Sequence, residues 1–119
     1  MIPIFEPYFI GNEKKYLKDC IDTTWISSQG AYIQKFEQSL LKYHKMNEAI
    51  VTSNCTTALH LALKSLNIGI DDEVLCPDLT FIAPANMIAL SGAKPVLVDV
   101  DPFTLTIDPK KIEGNINRN

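Results

Sequence analysis

Small hydroxyl side chains cluster where the chain changes from a β-branched to a helical pattern. Residues 50–52 read Ile-Val-Thr, and residues 53–63 read SNCTTALHLAL. A strand followed by a helix is therefore predicted, with Ser53, Thr56 and Thr57 at the joint. A helix start presents unpaired N–H groups and the positive end of the helix dipole, and hydroxyls add donors. These residues suit either a helix cap, formed by Ser53 or Thr56, or the binding of an anion such as phosphate.

Two further loops follow predicted strands, where ligands of open α/β sheets usually bind. Phe81, in the first loop, could stack on a flat heteroaromatic ring or pack in the core. Asp99 and Asp101, in the second, could bind a cation, but two aspartates before a proline favour an ordinary turn. The glycine-rich dinucleotide pattern and the P-loop pattern are both absent, which argues against a standard dinucleotide or NTP site.

The histidines and cysteines form no recognisable metal or redox pattern. His44 and His60 have no evident partner in the sequence, so neither is assigned a catalytic role. The chain has an odd number of cysteines, and their spacing matches no metal-binding or redox motif. This is expected for a protein of the reducing cytoplasm. The three are Cys20, Cys55 and Cys76. Without a paired His or second Cys, the cysteine at the helix start is interpreted as a small residue that fits there.

The predicted elements place these loops in an α/β domain. Two helices come first, over residues 12–26 and 27–45, and Asn12 is the predicted cap of the first. A β-α-β-α-β core follows, with strands about 22–24 residues apart, a spacing that suits parallel crossovers in a three-layer domain. Its predicted elements are the strands 48–53, 73–77 and 94–101 and the helices 55–66 and 80–92. Pro84 is tolerable in a first turn, Gly92 is a plausible helix stop, and a further helix begins at Pro109.

Composition excludes several classes of protein. The 119 residues are 46% hydrophobic and 21% charged, which is typical of a globular domain. The net charge of −3 argues against a nucleic-acid-binding protein, whose surface would be basic. No apolar stretch approaches the ~20 residues of a membrane span, and MIPIFEPYF is not typical of a signal peptide.

Five motifs, taken together, resemble one enzyme family. They read IPIFEPYFIGNE, TTWISSQG, SNCTTALHLAL, DEVLCPDLTFIAPANMIALSGAKPVLVDVDP and IDPKKIE. Their order and spacing resemble the pyridoxal-phosphate (PLP) sugar aminotransferases of the DegT/DnrJ/EryC1/StrS group, over essentially the whole chain. The resemblance implies the N-terminal part of the large domain of a fold type I aminotransferase. Within the group, the chain is most similar to perosamine synthase-like enzymes.

The resemblance also implies roles for individual residues. A turn cradles the cofactor phosphate, an aromatic ring stacks on the pyridine, and a loop lies near the substrate. The implied phosphate-binding residues are Cys55, Thr56 and Thr57, the implied stacking residue is Phe81, and the implied substrate-binding residues are Trp25, Ser27 and Ser28. The family usually has Gly or another small residue at the position of Cys55. A backbone conformation that only Gly can adopt is therefore not expected at this position of the chain.

The activity that the resemblance implies is amino-group transfer, with glutamate as the expected donor, to a nucleotide-linked 4-keto-6-deoxy sugar of the perosamine or viosamine type. Residues 1–47 would form a helical, substrate-loop segment, and residues 48–119 the first part of the PLP-binding domain. A homodimer is implied. The family's Schiff-base lysine is expected beyond Asn119, so this segment alone would be inactive. Two alternatives stay open: a PLP-dependent sugar dehydratase relative, and a non-catalytic module that binds phosphate or a protein partner.

Overall fold

The computed structural model describes residues 2–3 and 5–116. The chain divides into two units, Met1–Val51 and Thr52–Asn119. The division predicted between residues 47 and 48, into a substrate-loop segment and a cofactor-binding segment, stays a prediction.

The described part of the first unit contains two helices, α1 at Glu13–Asp22 and α2 at Ala31–His44. Asn12 precedes α1, as predicted, but its side chain makes no capping hydrogen bond. The carboxylate of Glu13 instead accepts a hydrogen bond from the Gly11 N–H at 2.9 Å. The α2 helix ends at Lys45, whose backbone is left-handed with a φ of 55°.

An aromatic pair lies on these two helices. The rings of Tyr16 and Tyr32 have centroids 5.0 Å apart. The Tyr32 hydroxyl donates to the Asp19 carboxylate at 3.0 Å, and the Lys35 ammonium lies 4.8 Å from the centre of the same ring. These side-chain contacts join the two predicted helices within the first unit.

The strand predicted over residues 48–53 is not formed. A β-branched run becomes a strand only when a neighbouring strand supplies a hydrogen-bond ladder. The Val51 N–H instead donates to the Glu37 side chain at 3.1 Å, and the sheet within the described residues has two strands.

The second unit alternates helices and strands, which confirms the predicted α/β class. Its elements, in chain order, are α3 at Cys55–Ser65, β1 at Glu73–Pro77, α4 at Ala83–Ser91, β2 at Lys94–Val98 and α5 at Pro109–Ile112, followed by a 3-10 turn at Glu113–Asn115. The two strands pair in parallel, and α4 connects them.

Backbone hydrogen bonds continue past both ends of the parallel pair. The Lys94 N–H donates to the Asp72 carbonyl at 2.9 Å, and the Asp78 N–H donates to the Val98 carbonyl at 3.0 Å. Pro95 lies within β2 and has no N–H to donate. The strand ends at Val98, three residues before the predicted end.

A small apolar cluster packs around β1, β2 and α4. Val98 is fully buried, with 0% of its surface exposed. Cys76, Ile88 and Ala93 are also buried, and Leu63 from α3 packs against them. Burial raises the pKa of the Cys76 thiol, so this cysteine is a structural apolar residue.

The C-terminal end of α4 follows the sequence prediction, whereas the helix begins at Ala83, three residues after the predicted start. Pro84 lies in the first turn, where the N–H that it lacks would have no helical partner. Gly92 ends the helix with a φ of 96°, and its N–H donates to the Ala89 carbonyl at 3.0 Å. The Lys64 ammonium, from α3, donates to the Ser91 carbonyl at 2.8 Å. This contact satisfies one of the carbonyls that a helix end leaves unpaired.

Candidate functional site

The helix cap at the start of α3 is Asn54, not Ser53 or Thr56. The backbone of Asn54 is extended, and its side-chain oxygen accepts a hydrogen bond from the Thr57 N–H at 2.9 Å. The Thr57 hydroxyl donates to the Asn54 carbonyl at 2.9 Å. The Ser53 and Thr57 hydroxyls lie 3.3 Å apart. The sequence carried a signal for this cap, because Asn is among the preferred capping residues.

Capping uses one N–H group and leaves others available. Among the described residues, no acceptor pairs with the N–H groups of Cys55 and Thr56 or with the Thr56 hydroxyl. Cys55 lies at the solvent-exposed surface. Two free N–H groups at the positive end of a helix, with a hydroxyl beside them, can bind a phosphate oxygen.

Cysteine at position 55 does not disturb this turn. Cys55 is the first residue of α3, and its φ is not positive. Its backbone therefore has a conformation that any residue adopts, and a glycine is not required there. The cysteine at this position is therefore compatible with the backbone of the turn.

Phe81 is exposed to solvent. It lies in the loop that joins β1 to α4, and 76% of its surface is accessible to solvent. Core packing, the alternative left open by the sequence, is therefore excluded for Phe81 within the described residues. An exposed ring at the carboxyl end of a parallel strand can stack on a flat ligand.

The aspartates after β2 form the predicted turn. The Asp101 carboxylate accepts hydrogen bonds from the N–H groups of Phe103 and Thr104, each at 2.9 Å. These backbone donors hold the pKa of Asp101 below its ordinary value. Asp99 forms an ion pair with Lys111, whose hydrogen bond lowers the pKa of the Asp99 carboxylate. Both carboxylates thus have protein partners in the fold.

The residues predicted to contact substrate lie in the first unit, in the loop between α1 and α2. Trp25 exposes 59% of its surface. The Ser27 hydroxyl lies 2.9 Å from both the N–H and the carbonyl oxygen of Gln29, which closes a tight turn. Ser28 is exposed. A Cβ atom on Gly30 would lie 3.8 Å from the Trp25 ring, so the loop is folded back on the start of α2.

Comparison with known proteins gives a consistent result. Over 115 residues the chain is 49% identical to the GDP-perosamine synthase of Caulobacter vibrioides, covering 97% of this chain and 31% of that protein. It is 42% identical over 118 residues to the GDP-perosamine synthase of Vibrio cholerae, covering 99% of this chain and 32% of that protein. The chain therefore spans about a third of the length of these relatives.

Solved structures resemble the fold over a similar share. The aminotransferase from Psychrobacter cryohalolentis superposes with a TM-score of 0.83 at 31% identity, covering 93% of this chain and 28% of that one. NtdA from Bacillus subtilis, with bound cofactor PMP, gives a TM-score of 0.79 at 34% identity, covering 92% and 26%.

Two further findings complete the comparison. Within the described residues, no helix is both long enough and apolar enough to cross a membrane. The sequence pattern of the DegT/DnrJ/EryC1/StrS aminotransferase family matches residues 7–119. The chain belongs to the DegT/DnrJ/EryC1/StrS aminotransferase family.

Proposed function

We propose that this chain is the N-terminal part of a nucleotide-sugar aminotransferase. The whole protein would transfer an amino group, with glutamate as the donor, to a 4-keto-6-deoxy sugar nucleotide of the perosamine or viosamine type. The observation that carries the proposal is the 49% identity to a GDP-perosamine synthase over 97% of the chain. The protein would act as a homodimer, and its free cysteines fit a reducing cytoplasm.

The proposed cofactor is pyridoxal phosphate, and the start of α3 suits its phosphate. The N–H groups of Cys55 and Thr56 and the Thr56 hydroxyl would donate to phosphate oxygens, because these groups have no partner among the described residues. Thr57 would contribute by fixing the turn, because its N–H and its hydroxyl both donate to Asn54. No Lys or Arg lies in residues 52–58, so a cation from elsewhere in the protein would complete the charge balance.

Phe81 would cover one face of the cofactor ring. Its exposure leaves a flat apolar surface free at the carboxyl end of β1. Stacking would orient the ring and exclude water from that face. When bound, pyridoxal phosphate supplies the electrophilic carbon and the electron sink for amino-group transfer. The lysine that anchors it is proposed to lie beyond this segment, in the continuation of the protein.

The substrate would meet the loop between α1 and α2. Trp25 presents an exposed ring with a donor N–H, and Ser28 presents an exposed hydroxyl. The Ser27 hydroxyl is hydrogen-bonded to the Gln29 backbone, so Ser27 would stabilise the loop. A sugar nucleotide offers hydroxyls and a flat base, and both kinds of group fit such a surface.

The proposal is tested with the complete gene product purified with pyridoxal phosphate. Thr56→Glu puts a bulky carboxylate among the donors of the phosphate site, so cofactor retention, measured by visible absorbance, should be lost. Ser65→Glu adds the same side chain at the other end of α3 and should retain the cofactor. Retention by Thr56→Glu would contradict the phosphate assignment.

A second measurement tests the reaction itself. The wild-type protein should aminate a GDP-linked 4-keto-6-deoxy sugar with glutamate as donor, and mass spectrometry should show the amino sugar. A dehydrated product would assign the protein to the sugar dehydratases. Failure both to bind the cofactor and to transform the sugar would leave the non-catalytic module.

A further inference from the structure

The backbone of Thr24 is in an unusual conformation at the end of α1. Its φ is 60°, in the left-handed region, one residue after the Thr23 that caps the helix. Glycine is the usual residue at this position, because a Cβ atom is disfavoured there. For a β-branched residue such as Thr, a positive φ is a genuine outlier.

Hydrogen bonds hold this conformation from both sides. The Thr24 N–H donates to the Ile21 carbonyl at 3.1 Å, and the Ile26 N–H donates to the Thr24 carbonyl at 2.9 Å. Just before it, Thr23 donates to the Asp19 carbonyl through its N–H at 3.0 Å and through its hydroxyl at 2.6 Å. Surroundings that fix a residue so fully can maintain a strained backbone.

The strained residue lies directly before the proposed substrate residues. Trp25 is the next residue, and Ser27 begins the following turn. The left-handed region open to a residue with a Cβ is small, whereas glycine can take a wide range of φ of either sign. Thr24 therefore allows the chain far fewer directions at this point than glycine would.

We propose that Thr24 is a positioning residue, whose narrow left-handed conformation fixes the direction in which Trp25 and Ser28 meet the nucleotide sugar. This inference rests on the proposed function. Outliers of this kind occur preferentially where a protein fixes the geometry of a ligand site. The substrate would then bind a loop that is already ordered and would lose little entropy in ordering it.

The chain offers a matched control at the end of the next helix. Lys45 has a φ of 55°, also left-handed, and ends α2. No proposed site residue follows Lys45 before Cys55. Replacing either residue by Gly removes a Cβ atom from a left-handed backbone, but only Thr24→Gly loosens the loop that contains Trp25.

The experiment compares Thr24→Gly and Lys45→Gly in the complete gene product. Both variants should retain the cofactor, and their melting temperatures should equal or exceed that of the wild type. Thr24→Gly should raise the KM for the sugar nucleotide by about tenfold, with a much smaller change in kcat. Lys45→Gly should match the wild type in both constants. Thr24→Asn should restore most of the affinity, because Asn tolerates the left-handed region yet keeps a Cβ.

The KM values and the cofactor retention together test the positioning role of Thr24 separately from the proposed function. A Thr24→Gly enzyme with the KM of the wild type overturns the positioning role while leaving the proposed function intact. Equal increases in KM for Thr24→Gly and Lys45→Gly also overturn it, because the effect would then be general. A wild-type protein that retains no cofactor and transfers no amino group overturns the proposed function, and the inference falls with it.

Discussion

The Asn54 side-chain oxygen lies 2.9 Å from the Thr57 backbone nitrogen and accepts its hydrogen bond. This pairing decides how the start of α3 is shared between folding and binding. Asn54 satisfies the third N–H of the helix, and the first two, from Cys55 and Thr56, have no acceptor among the described residues. A cap and an anion site are therefore compatible, because they use different N–H groups of the same turn.

Substitution of Asn54 should separate stability from cofactor binding. Asn54→Ala removes the cap and should lower the free energy of unfolding by about 1 kcal/mol. Asn54→Asp keeps a capping oxygen, so stability should be preserved, but its negative charge beside the phosphate should weaken cofactor retention. Thermal melting and visible absorbance of the complete gene product would measure the two effects.

Asn12 provides the control for this pair. It occupies the corresponding position before α1 and makes no side-chain capping bond. No cofactor contact is proposed for the start of α1, so Asn12→Asp should leave cofactor retention unchanged. If Asn54→Asp retains pyridoxal phosphate as well as Asn12→Asp does, the phosphate does not lie at the start of α3.

Substitution of Gly92 should destabilise the second unit. Its φ is 96°, and an added Cβ would lie 3.4 Å from both the backbone nitrogen and a side-chain carbon of Ile70. Gly92→Ala should cost about 1–3 kcal/mol, because the backbone strain cannot be relieved without moving the end of α4. Gly114, where a Cβ would meet nothing within 4 Å, is the control. Gly114→Ala should leave the denaturation midpoint close to that of the wild type.

The segment after β2 should respond to pH at both extremes. The pKa values of Asp99 and Asp101 are lowered, so their stabilisation is present above the unfolded value of about 3.9 and is lost as the pH falls through the folded value. The Asp99 partner raises the pKa of Lys111. The Lys111 contribution is therefore present below its unfolded value of about 10.4 and is lost as the pH rises through the folded one.

Two variants distinguish these contributions in melting curves recorded from pH 2 to pH 12. Asp99→Asn should reduce the loss of stability at both ends, because it removes the ion pair with Lys111. Asp101→Asn should reduce only the loss in acid, since its main partners are backbone N–H groups. Identical profiles for the two variants would contradict this division. The effects should be small, because these groups are exposed to solvent and screened.

Local patterns in the sequence predicted most elements of the second unit. The strand over residues 73–77 was predicted with its observed bounds, and the stop at Gly92 is confirmed. These elements are set by short-range chemistry: a proline ends the strand, and a glycine accommodates a positive φ. The strand over residues 48–53 failed, because pairing depends on a neighbouring strand and not on local composition.

For the candidate site, too, the sequence predicted some features and missed others. The hydroxyl-rich turn and the resemblance to a family indicated a phosphate site, but the sequence did not show which residue caps the helix. That choice depended on the extended backbone of Asn54. The conformation of Thr24 was also missed, because nothing in its side chain indicates a left-handed backbone.

Pro95 has a consequence for association between chains. The Lys94 N–H points toward β1, where it donates to Asp72, so the next backbone nitrogen along β2, that of Pro95, points away from β1. The missing N–H therefore costs the β1–β2 ladder nothing and interrupts the opposite edge of β2. A strand from another molecule would find an incomplete set of donors there. Proline at a strand edge discourages edge-to-edge pairing, so Pro95 makes this edge of β2 a poor template for an added strand.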